Sequence, residues 1–170
     1  MAIFTLNMYT SKIIEDIAQE VLDLTHAFEN YTNVSKISNA LGLKVIPALF
    51  NDNNIAGMLV YNDQEKAIYV NSTEIKERQR FTIAHEIGHF ILHNELIQAN
   101  KQNIFYRGDD NSSKPEEKQA NQFAASLLMP KKELERTLNS FEKIHVEPIA
   151  EIFKVSKQMA YFRLVNLGLI

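Results

Sequence analysis

An α+β domain is the fold that this sequence predicts, and three observations point to it. The chain has 170 residues, 45% of them hydrophobic, which is enough for one domain with a sizeable core. Apolar residues recur at helical spacing toward both ends, whereas residues 43–71 contain short β-rich runs between turn-like clusters. We therefore expect a single domain with N-terminal helices (1–42), a small sheet (43–71), a middle helical part (72–130) and C-terminal helices (131–170).

The amino-acid composition excludes several classes of protein and several kinds of functional site. A formal net charge of −3 gives no general attraction to nucleic acid or to anionic membranes. The sequence contains no cysteine, which excludes disulfides, thiol nucleophiles and Cys-ligated zinc, and which suits a reducing compartment. Residues 1–12 lack the features of a signal peptide, and no apolar run is long enough to span a membrane. We expect a soluble cytoplasmic protein.

The N-terminal helices are predicted from apolar periodicity and from their end signals. The first covers about residues 11–28, with Ser11 as a candidate N-cap. The second covers about 33–41 and ends at Gly42, a frequent C-cap residue. Neither carries a pattern of catalytic residues, so we interpret both as packing elements.

A three-stranded antiparallel meander is predicted next. The β-rich runs are residues 45–50, 56–61 and 66–71. Pro47 places the first strand toward an edge, because proline cannot donate to a neighbouring strand. Ser72 and Thr73 are candidate N-caps of a central helix that runs to about His93. An exposed strand beside this helix could bind an extended substrate by strand addition.

The central helix contains the most informative stretch, RFTIAHEIGHFILH, from Arg80 to His93. Its apolar residues lie on every helical face, which is typical of a buried helix. Unsatisfied polar groups there would cost about 2–7 kcal/mol each. His85 and His89 are four residues apart, so both rings can reach one zinc ion, with Glu86 beside the open position where a water would bind. The alternative is a buried helix whose histidines hydrogen-bond to backbone carbonyls.

A two-histidine site needs a third protein ligand, for which the chain offers two candidates. His93 would lie roughly 12 Å from His85 along a straight helix, so we interpret it as a helix-end residue or an outer partner of the site. The better candidate is on a predicted helix over 116–130, where Glu117 and Asn121 are one turn apart. A glutamate can complete a His₂Glu zinc set, and the asparagine is placed to orient a ligand histidine. Acidic residues in a first helical turn also have an explanation that needs no metal, because their negative charge interacts favourably with the helix dipole.

Two segments in this order and spacing, RFTIAHEIGHFILH and EKQANQFAASLLMP, resemble the ImmA/IrrE family of metallopeptidases. The resemblance covers residues 78–130. It implies a zincin-like domain with a thermolysin-type (gluzincin) site, in which His85, His89 and Glu117 bind zinc and Glu86 is the catalytic base. It also implies a partner, since the family acts as anti-repressors that cleave helix-turn-helix repressors of the Xre class, often in phages, mobile elements or stress regulons. Manganese or iron could occupy the same ligand set.

The polar connector between Glu95 and Pro115 contains an apolar-aromatic island, residues 104–107. We interpret it as a loop that is anchored by its aromatic side chains. The alternative is a lid over the cleft, in which Tyr106 or Arg107 could stabilise an oxyanion.

The last segment, residues 147–168, has the pattern of a helix-turn-helix with Ser156 as the N-cap of its second helix. Lys157, Gln158 and Arg163 could face a groove or phosphates. A slightly acidic chain lacks the electrostatic footprint of a DNA-binding protein, so we favour packing or partner contact over direct DNA binding.

These observations together predict a zinc-dependent, site-specific endopeptidase that cleaves an Xre-type repressor and relieves repression. Two alternatives stay open. One is a non-proteolytic, metal-containing anti-repressor that acts by docking, and the other is a DNA-binding regulator that uses the C-terminal helices.

Overall fold

The computed structural model describes residues 9–52, 54–99, 104–106 and 114–170. Its elements in chain order are α1 (Ser11–Thr25), α2 (Val34–Ala40), β1 (Lys44–Ala48), β2 (Gly57–Tyr61), β3 (Lys66–Asn71), α3 (Lys76–Leu92), α4 (Asn94–Ala99), β4 (Ile104–Tyr106), α5 (Pro115–Leu128), α6 (Lys131–Leu138), α7 (Val146–Phe153) and α8 (Lys157–Asn166). The predicted α+β class is confirmed. Within these ranges no helix combines the length and the apolar character that crossing a membrane requires.

The sheet has four strands in the order β1-β3-β2-β4, and it is mixed. β2 and β3 form the predicted antiparallel hairpin, closed by a hydrogen bond from the Asn62 amide to the Glu65 carbonyl. The prediction of a purely antiparallel meander is wrong, because β1 pairs in parallel with β3. The connection from β1 to β2 places β2 beyond β3, so the first two strands are not neighbours. Pro47 lies on an edge strand, as predicted.

β4 is a strand that the sequence analysis assigned to a loop. It comes from the connector between α4 and α5, and it pairs antiparallel with β2, with Phe105 opposite Leu59. Tyr106 therefore belongs to an edge strand, whereas Arg107 lies outside the described residues.

The middle of the central helix α3, residues 82–89, is buried because it packs against β2 and β3 on one side and against α5 on the other. Its predicted side-chain cap is wrong. α3 starts at Lys76 without a side-chain hydrogen bond to its cap. The hydroxyl group of Ser72 instead donates to the Ala48 carbonyl at the end of β1. The hydroxyl group of Thr73 donates to Oδ1 of Asn71 at the end of β3, so both hydroxyl groups bind to the sheet and not to the helix.

Gly88 lets α3 and α5 approach closely. A Cβ atom built at this position would lie 3.1 Å from Cδ1 of Phe123 and 3.2 Å from Cα of Ala120. Since one of these atoms belongs to the α5 backbone, a larger residue would require α5 or the Phe123 ring to move by a few tenths of an ångström. This crossing therefore determines how near the side chains of α3 and α5 come to one another.

We expect Gly88→Ala to lower the free energy of unfolding by about 1–3 kcal/mol, the usual cost of overpacking. Denaturant titration would measure it, with Arg78→Ala at an exposed position of the same helix as the control. An unobstructed helix would gain up to about 1 kcal/mol from replacing glycine by alanine. Unchanged or increased stability would therefore contradict the close approach.

The C-terminal helix pair has the predicted form. Ser156 caps α8, because its Oγ accepts a hydrogen bond from the Met159 amide. Arg163, one of its candidate DNA-contacting residues, is buried and not exposed on the surface. Arg163 is 4% exposed, pairs with both carboxylate oxygens of Glu15 on α1, and donates to the Met129 carbonyl. Arg163 therefore ties α8 to the rest of the domain and is not presented to a groove.

The Glu15–Arg163 pair predicts a pH-dependent contribution to stability. Burial tends to raise the pKa of Glu15, but hydrogen bonds from Arg163 and Ser126 hold that pKa below its usual value. A lowered pKa in the folded state means that the carboxylate stabilises the fold above the unfolded pKa, and that this contribution is lost as pH falls through the folded pKa.

We expect Glu15→Gln to cost about 3 kcal/mol of unfolding free energy at pH 7, the low end for breaking a buried pair, because the Glu15 side chain is 22% exposed. The difference from wild type should shrink as pH falls below about 4.5, the ordinary pKa of glutamate. Denaturant midpoints between pH 3 and 7 would measure both effects. Glu135→Gln, in an exposed pair with Lys131, should cost less than about 1 kcal/mol at any pH. A pH-independent difference for Glu15→Gln would contradict the lowered pKa.

Candidate metal centre

Three side chains from two helices meet where α3 crosses α5. Nε2 of His85 lies 3.3 Å from Oε2 of Glu117, and Nε2 of His89 lies 3.1 Å from Oε1 of the same carboxylate. The two Nε2 atoms are 3.0 Å apart. All three groups thus offer a ligand atom within 4.8 Å of one another. The residues that the sequence analysis expected to bind a metal ion are therefore brought together by the fold.

The chemistry of these donors fits a divalent cation. His85 and His89 are each 1% exposed, and the helix around them is apolar. Two imidazole nitrogens that face each other beside a carboxylate leave buried lone pairs close together, which is costly without a shared proton or cation. A set of two imidazoles and one carboxylate is one that catalytic zinc accepts, and it leaves a coordination position open. The residues present can hold such an ion.

Glu117 is suited to remain ionised at this place. Its burial would raise the pKa of the carboxyl group, but its close contacts with the imidazole rings of His85 and His89 hold that pKa well below its usual range. A carboxylate that keeps its negative charge attracts a cation and can act as a ligand.

Each of the two histidines also has a partner on its other ring nitrogen. Nδ1 of His85 lies 2.9 Å from Oδ1 of Asn121, the residue expected to orient a ligand histidine. Nδ1 of His89 lies 3.1 Å from Nδ1 of His93, whose Nε2 lies 2.9 Å from Oε1 of Gln119. His93 is thus an outer partner at the end of α3, and burial lowers its pKa. The contact of Gln119 with His93 was not predicted, because no local pattern in the sequence indicates it.

Glu86 lies on α3 directly after His85, and it is 1% exposed. A carboxylate at such depth is rare unless it is paired or has a chemical role. Directly after the first histidine is the position that the HExxH pattern gives to a water-activating base.

Comparison with known proteins gives three results. A family model described as the IrrE N-terminal-like domain, a peptidase family, matches residues 38–165. Metallopeptidase ImmA of Bacillus subtilis (strain 168) is 30% identical over 164 residues, which cover 96% of this chain and 90% of that protein. A solved Mycobacterium tuberculosis transcriptional regulator has a TM-score of 0.65 at 14% identity, with 89% of this chain and 46% of that chain covered. The last likeness concerns the fold alone, and the chain spans less than half the length of that regulator.

Proposed function

The chain belongs to the ImmA/IrrE family of metallopeptidases, and we propose that it is a zinc-dependent, site-specific endopeptidase. In this proposal His85, His89 and Glu117 bind the metal ion, Glu86 is the catalytic base, and Asn121 orients His85. The observation that carries it is the meeting of the three ligand atoms within 4.8 Å on two crossing helices, one of which also carries the buried Glu86.

The proposed reaction is hydrolysis of a peptide bond. A zinc ion held by these side chains would supply a Lewis acid that polarises the scissile carbonyl and lowers the pKa of water. Glu86 accepts a proton from the attacking water as the new carbon–oxygen bond forms, and it delivers this proton to the nitrogen as the carbon–nitrogen bond breaks. Asn121 accepts a hydrogen bond from Nδ1 of His85, which keeps the hydrogen of that ring away from Nε2.

The proposed substrate is a helix-turn-helix repressor of the Xre class. This part rests on the resemblance of the two motif segments to the family. Cleavage would relieve repression of a phage, a mobile element or a stress regulon, and it would place the protein in the cytoplasm, where such repressors act. The burial of Arg163 counts against direct DNA binding by the C-terminal helices.

The test is the intact mass of an Xre-type repressor encoded beside this gene, after incubation with the zinc-loaded protein. Wild type and Glu86→Gln would be compared in parallel. Two discrete fragments with wild type alone would support a site-specific metallopeptidase and would identify the scissile bond. A repressor left intact by both proteins, with repression still relieved by Glu86→Gln in cells, would replace this proposal by a docking anti-repressor. Specific duplex binding that weakens steeply with salt would point to the DNA-binding alternative.

Strand addition is the mode of substrate binding that we propose. β4 pairs with β2 on one side, and in the described part of the chain no strand pairs with its other edge. An extended peptide that adds to such an edge gains main-chain hydrogen bonds. We expect N-methylation of single amides next to the scissile bond to lower kcat/KM by about tenfold per lost hydrogen bond of roughly 1.5 kcal/mol. Alanine at the same positions is the control, and equal cleavage of methylated and unmethylated peptides would contradict strand addition.

A further inference from the structure

We propose that His93 and Gln119 are positioning residues of the metal centre, which hold His89 in the tautomer that leaves its Nε2 free to bind the ion. This inference rests on the proposed function, because it takes His89 as a ligand. The supporting observation is a continuous series of side-chain contacts from His89 through His93 to Gln119. Nδ1 of His89 lies 3.1 Å from Nδ1 of His93, and Nε2 of His93 lies 2.9 Å from Oε1 of Gln119.

The direction of both hydrogen bonds follows from what each atom can do. Oε1 of Gln119 can only accept, so Nε2 of His93 carries a hydrogen and donates it. A neutral imidazole has one N–H group, so Nδ1 of His93 has a lone pair and accepts from Nδ1–H of His89. Nε2 of His89 is then without a hydrogen, which is the form in which an imidazole binds a metal.

The opposite tautomer would prevent His89 from binding the ion, because its hydrogen would donate to Glu117 instead. It would place the hydrogen of His89 on Nε2, the atom that lies 3.0 Å from Nε2 of His85 and 3.1 Å from Oε1 of Glu117. That hydrogen would occupy the direction needed for a metal bond. A chain of hydrogen bonds that ends on an obligate acceptor therefore favours the binding tautomer over the one that donates to Glu117.

Burial makes these partners hard to replace. His89, His93 and Gln119 are 1%, 3% and 9% exposed, so bulk water has little access to stand in for a missing partner. α5 thereby orients both histidines of α3. Asn121 contacts His85 directly, whereas Gln119 reaches His89 through His93.

The test compares variants with wild type in two properties. One is the affinity for zinc, measured by competition with a chelator, and the other is the absorption spectrum of the cobalt(II) form. His93→Phe keeps a ring but removes both nitrogens. We expect it to weaken zinc binding about 10–100-fold, the usual effect of losing an outer partner of a ligand histidine, and to shift the cobalt bands. His93→Asn, whose amide oxygen can lie near the former Nδ1, should recover most of the affinity. Gln119→Leu should weaken binding in the same direction, and Gln119→Glu, which keeps an acceptor, should not.

Each possible result either supports or overturns the inference. Wild-type affinity and spectrum in folded His93→Phe would overturn the inference, as would His93→Asn binding no better than His93→Phe. If His93→Phe does not fold, as judged by circular dichroism, Gln119→Leu decides, and wild-type affinity in that variant would overturn the inference. A wild-type chain that binds neither zinc nor cobalt would overturn the proposed function as well. A wild type that binds zinc and cleaves, beside variants with unchanged affinity, would overturn this inference alone.

Discussion

Glu86→Gln should keep the fold and the bound zinc but lose about 10²–10⁴-fold in the rate of cleavage, the usual contribution of a general acid–base. Glutamine has nearly the shape of glutamate, so the buried space beside His85 stays filled. It has no basic carboxylate, so it cannot take the proton of the attacking water. Because Glu86 is 1% exposed, bulk water or buffer has poor access to replace it as the base.

Single-turnover cleavage of the repressor would measure this loss, with zinc content and circular dichroism recorded on the same samples. Glu77→Gln makes the same chemical change in the first turn of the same helix, away from the ligand cluster, and should cleave at the wild-type rate. Cleavage by zinc-loaded Glu86→Gln at the wild-type rate would remove Glu86 from the mechanism.

Most of the helices could be predicted because their signals are local, but α4 lies largely in the stretch that was interpreted as a polar connector. The C-terminal pair shows this best, since Ser156 and the apolar spacing on both sides of it define two helices within about twenty residues. The same holds for His85 and His89, whose proximity follows from helical geometry alone. Glu117 and Asn121 could be placed on one face of a second helix in the same way, but not opposite the first.

The sheet could be predicted only in part because strand pairing is not local. The hairpin of β2 and β3 has a short turn that fixes the antiparallel pairing of its two strands. The parallel pairing of β1 with β3 and the pairing of β4 with β2 depend on where longer connections lead, and no residue pattern encodes that. β4 also has three residues, too few to show the alternation that marks a strand.

The contacts of Arg163 and Gln119 could not be predicted either, because their partners are distant in sequence or lie on another helix. A charged residue on a short amphipathic helix is usually exposed, so the sequence suggested an interaction surface. Glu15, 148 positions earlier, makes its burial tolerable. Gln119 likewise contacts His93 across the crossing of α3 and α5, where Gly88 lies close to Ala120 and Phe123. Such contacts join helices that are distant in sequence, so they become visible only in the folded chain.

Replacement of a ligand should have the second large effect. We expect His89→Ala to weaken zinc binding by more than about 100-fold, beyond the usual range for outer partners, and to abolish cleavage. Stability should fall as well, because a bound ligand stabilises the folded state by about 2.7 kcal/mol at 100 times its dissociation constant. Truncation would also leave His85, His93 and Glu117 without a neighbour that each of them contacts.

Thermal unfolding with and without a strong chelator would separate these contributions. Wild type should lose stability when zinc is removed, whereas His89→Ala should unfold at the same temperature with or without the chelator. His145→Ala, at an exposed position before α7, should behave like wild type in both conditions. Zinc-dependent stabilisation of His89→Ala as large as that of wild type would mean that the ion is bound elsewhere. The close approach of the three ligand atoms would then be a feature of packing, held by the contacts of Glu117 with the two histidines.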